Sequence, residues 1–173
     1  MSAAYGISQA RGWVALLGER LKRERPDYIV VNASISGETT GGGLARIKPA
    51  LERHRPAIVI LELGANDGLR GLPVAQMKKN LGAMIEQAQK AGASVLILGM
   101  RLPPNYGSSY AGHFEKMYAE VAERRKVAFM PFFLDGVGAV TRLNQPDGIH
   151  PTAEGYRIIV ERLWPYVEPL LRR

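Results

Sequence analysis

Cysteine is absent from the 173 residues, which excludes disulfides, thiolate metal sites and a cysteine nucleophile. No apolar run approaches the ~18 residues that a membrane-crossing helix needs. Met1-Ser2-Ala3-Ala4-Tyr5 carries neither the charged start nor the apolar stretch of a secretory leader. Without thiols or a leader in these residues, localisation stays open. Internal repeats, low-complexity tracts and an interdomain linker are lacking too, so length predicts one domain over residues 1–173.

What is present is an ordinary globular balance, 46% hydrophobic and 23% charged, with a formal charge of +7. The cations gather as Arg20/Lys22/Arg23/Arg25, Arg53/His54/Arg55, Arg124/Arg125/Lys126 and Arg172/Arg173. Each cluster falls where the apolar pattern ends a helix, and cations there complement the helix dipole. Four separated clusters predict a solvated rim rather than one nucleic-acid stripe, so no specific nucleic-acid partner is expected.

Helical and strand patterns alternate along the chain. Trp13, Leu16, Leu17 and Leu21 have helical spacing within 8–24, and Tyr28-Ile29-Val30-Val31 reads as a β-branched strand. A helix is expected over 43–54. The run Ala57 to Leu63 reads as a strand buried on both faces. Next come a helix over 73–91, a strand from Ser94 to Leu98, a helix over 109–126, a short strand from Val127 to Met130 and a last helix over 152–171. This alternation predicts an α/β fold, a doubly wound parallel sheet with helices on both faces. Chemistry in such sheets gathers beyond the carboxyl ends of the strands. The pattern opens on a helix, whereas such a domain normally opens on a central strand, and residues 1–7 cannot supply one.

Polar and glycine-rich segments do begin at the strand ends. After Val31, Gly37 allows a backbone N–H to approach a ligand closely, although the segment also reads as a plain strand-to-helix loop. The adjoining Gly41-Gly42-Gly43 lacks both the GK[ST] of a P-loop and the spacing of a dinucleotide fingerprint. After Leu63, the Asn66 amide can donate to an oxyanion without carrying a titrating charge. The competing reading is a turn in which Asn66 and Asp67 bond their own backbone. Glu62, inside an apolar run, reads as a structural acceptor. Near the C-terminal helix, Asp147 stands three residues before His150, a spacing that lets a carboxylate fix an imidazole tautomer. A Pro-Asp-Gly turn beside an exposed histidine is the alternative. His54 and His113 lie in polar helical surroundings and are assigned to the surface. A glycine N–H, an Asn amide and an Asp–His pair at successive strand ends together describe an acyl-transfer site.

The blocks VVNASISGET (30–39), LELGANDGLRG (61–71), RLPPNYG (101–107), MPFFL (130–134) and DGIHP (147–151) resemble the SGNH (GDSL-type) hydrolases. Within them the chain is most similar to the acyl-CoA thioesterase I, lysophospholipase L1 and arylesterase branch. The resemblance implies a flavodoxin-like three-layer α/β/α fold without metal or cofactor, acting on a small acyl ester or thioester; a monomer is expected. It implies Gly37 and Asn66 as the oxyanion hole, His150 as general base, Asp147 as its orienting acid and Asn105 near the substrate. Residues 68–72 resemble a mobile loop over the acyl channel. Close members of the family are often periplasmic or secreted.

The family's first block reads Gly-Asp-Ser-Leu-Ser, and Met1-Ser2-Ala3-Ala4 aligns with the positions directly after its first serine. The expectation is therefore that the nucleophile and the central first strand lie immediately before Met1, encoded in frame upstream, with Met1 at an alternative start codon. The chain as it stands is expected to be inactive. Two functions remain: a serine esterase or thioesterase that needs those residues, and a non-catalytic acyl-ligand-binding protein of the same fold.

Overall fold

The computed structural model describes residues 1–171; the Arg172/Arg173 cluster lies outside them. The elements run α1 (Trp13–Glu24), α2 (Thr40–His54), β1 (Ile58–Leu61), α3 (Ala65–Leu69), α4 (Val74–Lys90), β2 (Ser94–Leu98), α5 (Ser108–Arg125), β3 (Ala128–Met130) and α6 (Ala153–Val167). Contacts group them into two compact units. Met1–Ser36 with Leu134–Pro165 form one, and Gly37–Phe133 with the residues from Tyr166 form the other.

The unit from Gly37 to Phe133 holds a parallel sheet of order β1-β2-β3. Ile58 to Leu61 pair with Ser94 to Ile97, and Leu96 to Leu98 pair with Ala128 to Met130. Parallel neighbours need a long crossover, which α4 and α5 supply. Pro73 caps α4, whose Met77, Leu81, Met84, Ile85 and Ala88 recur on one face and are buried. On α5 the buried stripe is Phe114, Met117, Tyr118, Val121 and Ala122. These stripes join Ile47 and Leu51 of α2, Leu61 of β1 and Val95 and Ile97 of β2 in one core. Each fully buried Leu, Ile or Met there contributes about 1.5–3 kcal/mol.

Two strand expectations need correction. Tyr28–Val31 is not a strand: Ile29 is 87% exposed and Val31 48%. Residues 29–31 make no backbone hydrogen bond among the described residues. β-Branched composition favours a pleated, half-buried surface, but it cannot make a ladder without a neighbour. The run 57–63 does form a strand, β1, yet it stands at the sheet edge with β2 as its one ladder partner among the described residues. Ile58, Val59 and Ile60 are accordingly half-buried and only Leu61 is buried. The central position belongs to β2, where Val95 to Leu98 are all buried.

Helix α2 begins three residues earlier than expected, absorbing the glycine run. Thr39 caps it by accepting Gly42 N–H at 3.2 Å. The glycines serve packing: a Cβ at Gly42 would meet Glu38 Oε1 at 1.8 Å, and one at Gly43 would meet Leu63 Cδ1 at 2.6 Å.

In the other unit the helix expected from residue 8 is broken. Residues Gln9–Arg11 make a 3-10 turn and Gly12 is extended, so α1 opens at Trp13. Gly12 packs against Ala4, whose Cβ would lie 2.8 Å from a Cβ at position 12. Trp13, Val14, Leu17 and Leu21 are the buried side chains of α1, with Val14 where Leu16 was expected. The Arg20 guanidinium lies 4.2 Å over the Trp164 ring and bonds Glu161 at 2.8 Å, which ties α1 to α6. The basic clusters do fall in the last turns of α1, α2 and α5.

Gly99 continues the β2–β3 ladder, donating to Met130 C=O and accepting from Phe133 N–H, both at 2.8 Å. A Cβ there would meet the Pro131 carbonyl oxygen at 2.2 Å, whereas one at Gly112 within α5 meets nothing within 4 Å. Gly99→Ala is therefore expected to destabilise by about 1–3 kcal/mol. Gly112→Ala is expected to stabilise by about 0.5–1 kcal/mol. Urea unfolding of the two variants should move in opposite directions.

Candidate active site

The Asp147–His150 pair forms as the spacing predicts. His150 Nδ1 lies 2.7 Å from Asp147 Oδ2. The other carboxylate oxygen, Oδ1, accepts the backbone N–H of Ile149 at 2.9 Å and of His150 at 3.0 Å. The two sequence readings are thus both realised: one oxygen makes the turn and the other holds the ring. Gly148, at φ +69°, closes the turn by donating to Gln145 C=O at 2.8 Å. An antiparallel bridge between Asn144 and Pro151 closes the base of the loop.

Burial of Asp147 opposes its charge, but the N–H groups of His150 and Ile149 and the imidazole outweigh it. Together they hold the carboxylate at about 2 against an ordinary 3.8. A carboxylate so acidic leaves the shared proton on Nδ1, and Nε2 becomes the acceptor. Nε2 has no hydrogen-bond partner among the described residues. An imidazole held this way can take a proton at Nε2 and keep the resulting charge beside a carboxylate.

In the other unit the structure brings Gly37 and Asn66 together. Gly64, at φ +113°, turns the chain out of the strand end and opens α3. A Cβ at Gly64 would meet Tyr118 Oη at 2.4 Å, so the turn needs glycine for both space and conformation. Tyr118 donates its hydroxyl to Leu63 C=O at 3.0 Å, and burial pushes that hydroxyl well above its ordinary value. Asn66 then donates one amide N–H to Glu38 C=O at 2.8 Å, leaving its second N–H uncommitted. Gly37 has φ +76° and its carbonyl accepts from Arg70 at 3.2 Å. Its N–H meets no acceptor among the described residues. A glycine N–H and an amide N–H in adjacent segments are the donor types that stabilise an oxyanion.

The Asx-turn reading of Asn66-Asp67 is not what forms, because both side chains bond across to α2 and its approach. Asp67, 3% exposed, accepts the Thr40 N–H at 2.9 Å and the Thr40 hydroxyl at 2.6 Å. Asn80 donates to Thr40 Oγ1 at 3.0 Å and accepts from Gln76 at 2.8 Å. This buried network places a carboxylate at the positive end of α2 and locks α3, with Asn66 on it, to the segment after Gly37. Sequence reasoning missed it; the one cue was polar Asn80 within an otherwise apolar helix face.

Asn105 stands exposed on a 3-10 turn (Pro104–Tyr106), apart from Gly37 and Asn66 in its hydrogen bonding. Its neighbours tie down the loop over 68–72: Tyr106 donates to Leu69 C=O at 3.0 Å and Tyr110 to Leu72 C=O at 2.6 Å. Burial, with Asp67 and Tyr106 nearby, raises the Tyr110 hydroxyl above its ordinary 10.0. His54 is exposed, and His113 is exposed with Nδ1 2.8 Å from Ser109 O, as expected of surface residues. Among the described residues no three His, Asp or Glu side chains group as a metal site, and no helix is long and apolar enough to cross a membrane.

Residues 1–158 match the GDSL-like lipase/acylhydrolase family. The chain is 51% identical to the esterase TesA of Pseudomonas aeruginosa over 171 residues, covering 99% of this chain and 85% of that protein. It is 37% identical to the thioesterase 1/protease 1/lysophospholipase L1 of Escherichia coli strain K12, covering 99% of this chain and 81% of that one. The fold superposes on a crystal structure of TesA with a TM-score of 0.95, over 98% of this chain and 94% of the crystallised one. The chain therefore belongs to the GDSL-like lipase/acylhydrolase family, in the SGNH branch that its sequence blocks indicated. The helix-rich α/β architecture with an open parallel sheet agrees with that membership.

Two measurements test the geometry. Asp147 should stay charged to about pH 2. Its contribution to stability is complete above the ordinary 3.8 and is lost as pH falls through about 2. A carboxyl 13C titration with a midpoint near 3.8 would contradict this. Thr40→Val, which leaves Asp67 short of a donor, should cost about 1–3 kcal/mol in urea unfolding.

Proposed function

We propose that this protein is a serine-type esterase or thioesterase that hydrolyses small acyl esters through an acyl-enzyme. The observation that carries the reading is the Asp147–His150 pair, a carboxylate held at about 2 and bonded to Nδ1 at 2.7 Å. Asp147 orients the ring, and Nε2 of His150 takes the serine proton as the oxygen attacks the acyl carbonyl. Gly37 N–H and the second N–H of Asn66 stabilise the oxyanion. His150 then returns its proton to the leaving group, and a water deprotonated at the same nitrogen releases the acid. Asn105 contacts substrate beside the loop over 68–72. The reaction needs no metal or cofactor and proceeds in a monomer.

The nucleophile in this proposal is a serine immediately before Met1, carried by a longer form that also supplies the first strand. Substrates span acyl thioesters, aryl esters and lysophospholipids. The relatives' names, esterase and thioesterase 1/lysophospholipase L1, support that range.

Hydrolysis of p-nitrophenyl esters tests the assignment. The 173-residue chain should be inactive and the serine-bearing form active. In the active form, Asn66→Ala should lower kcat by about 10²–10³-fold, and His150→Ala by about 10³-fold or more. Acyl-ligand binding without hydrolysis in either form would instead favour a non-catalytic binding protein. Hydrolysis by the 173-residue chain that Ser2→Ala abolishes would move the nucleophile to Ser2.

A further inference from the structure

The loop that carries His150 is not held by its own residues alone. Gln145, at its start, donates its backbone N–H to His150 C=O at 2.7 Å. Its side chain then leaves the loop: Nε2 donates to Pro151 C=O at 3.1 Å and to Tyr5 C=O at 2.9 Å. One amide thereby bridges the end of the histidine loop and a turn 140 residues earlier in the chain.

The fit on the far side is close. A Cβ at Gly6 would lie 2.0 Å from Gln145 Oε1, and Gly6 has φ +77°, so this position takes glycine on both counts. The turn is closed by Ala4 N–H on Met1 C=O at 2.9 Å and by Ile7 N–H on Ala4 C=O at 3.1 Å. It delivers the Tyr5 ring to the imidazole of His150, with centroids 4.8 Å apart and planes tilted by 37°. That separation is within the range at which aromatic rings attract. Tyr5 is 57% exposed, so its ring is not there to fill a core.

We propose that Gln145 and Tyr5 are positioning residues for His150, an inference that rests on reading His150 as the general base. Asp147 grips the ring at one atom, Nδ1, and a single hydrogen bond leaves the plane free to swing about it. Tyr5 packs against the ring and sets that plane, and with it the direction of Nε2. Gln145 sets where Tyr5 stands. In the serine-bearing form the same amide also fixes the spacing between nucleophile and base, because it binds the turn next to the serine to the loop that holds the imidazole.

Histidine side-chain NMR on the 173-residue chain tests this without catalysis. The His150 ring protons should resonate upfield under the Tyr5 ring. Gln145→Met keeps the length and removes the donor. It should abolish most of that upfield shift and speed exchange of the Ile7 amide by about ten-fold or more. Tyr5→Phe should keep the upfield shift and Tyr5→Leu should lose it, both with Ile7 exchange unchanged. A folded Gln145→Met chain with wild-type His150 resonances and wild-type Ile7 exchange would overturn the proposal. The base reading fails separately: Asp147→Asn would then leave the His150 tautomer as it was, whatever Gln145 does.

Discussion

Every backbone N–H and C=O taken from water must find a partner, and three apolar segments of this chain obey that rule in graded fashion. β2 has a ladder on each side and is buried throughout. β1 has a ladder on one side and is half-buried. Residues 29–31 have no ladder among the described residues, and Ile29 lies in solvent. Side-chain composition is nearly the same in all three, rich in Val and Ile. Pairing, and not propensity, decides which of them becomes the centre of the sheet.

Where polar groups matter, carboxylates do the organising, each by accepting several donors. Asp67 takes both the N–H and the hydroxyl of Thr40 in a site closed to water. Glu38 accepts from Thr39 N–H and Arg46 while lying over Gly42. Asp147 divides its oxygens between turn and imidazole. Asp67, from α3, meets the first residue of α2, while Glu38 and Asp147 lie in loops. At both kinds of place backbone donors await a partner and a negative charge is stabilising. The side chains proposed to meet substrate are thus placed by neighbours that stand behind them.

What could be read from the sequence was what local pattern determines. β2, α4 and α5 came out nearly to the residue because apolar spacing, Pro73 and Gly92 mark them within a few positions. The Asp147–His150 contact was legible because it spans three residues. The remaining contacts close over 27 residues for Asp67 and Thr40, 40 for Asn80 and Thr40, and 140 for Gln145 and Tyr5. No spacing rule reaches so far. The start of α2 was misjudged for a related reason: three glycines weaken a helix, and the carboxylate that offsets this arrives from α3. The strand expected over 28–31 does not form because a strand signal describes a surface that suits pairing, and the sheet of the described residues does not include this segment.

The half-buried edge of β1 and the solvent-facing Ile29, Val31 and Ile35 have a further consequence, for the behaviour of many copies together. Among the described residues β1 has a ladder on one side alone, and an Ile-Val-Ile-Leu edge is the kind of surface on which another extended segment can pair. The chain's formal charge of +7 makes copies repel one another. That repulsion reaches only about 10 Å at 0.1 M salt. Rising salt therefore weakens the repulsion that opposes pairing between copies.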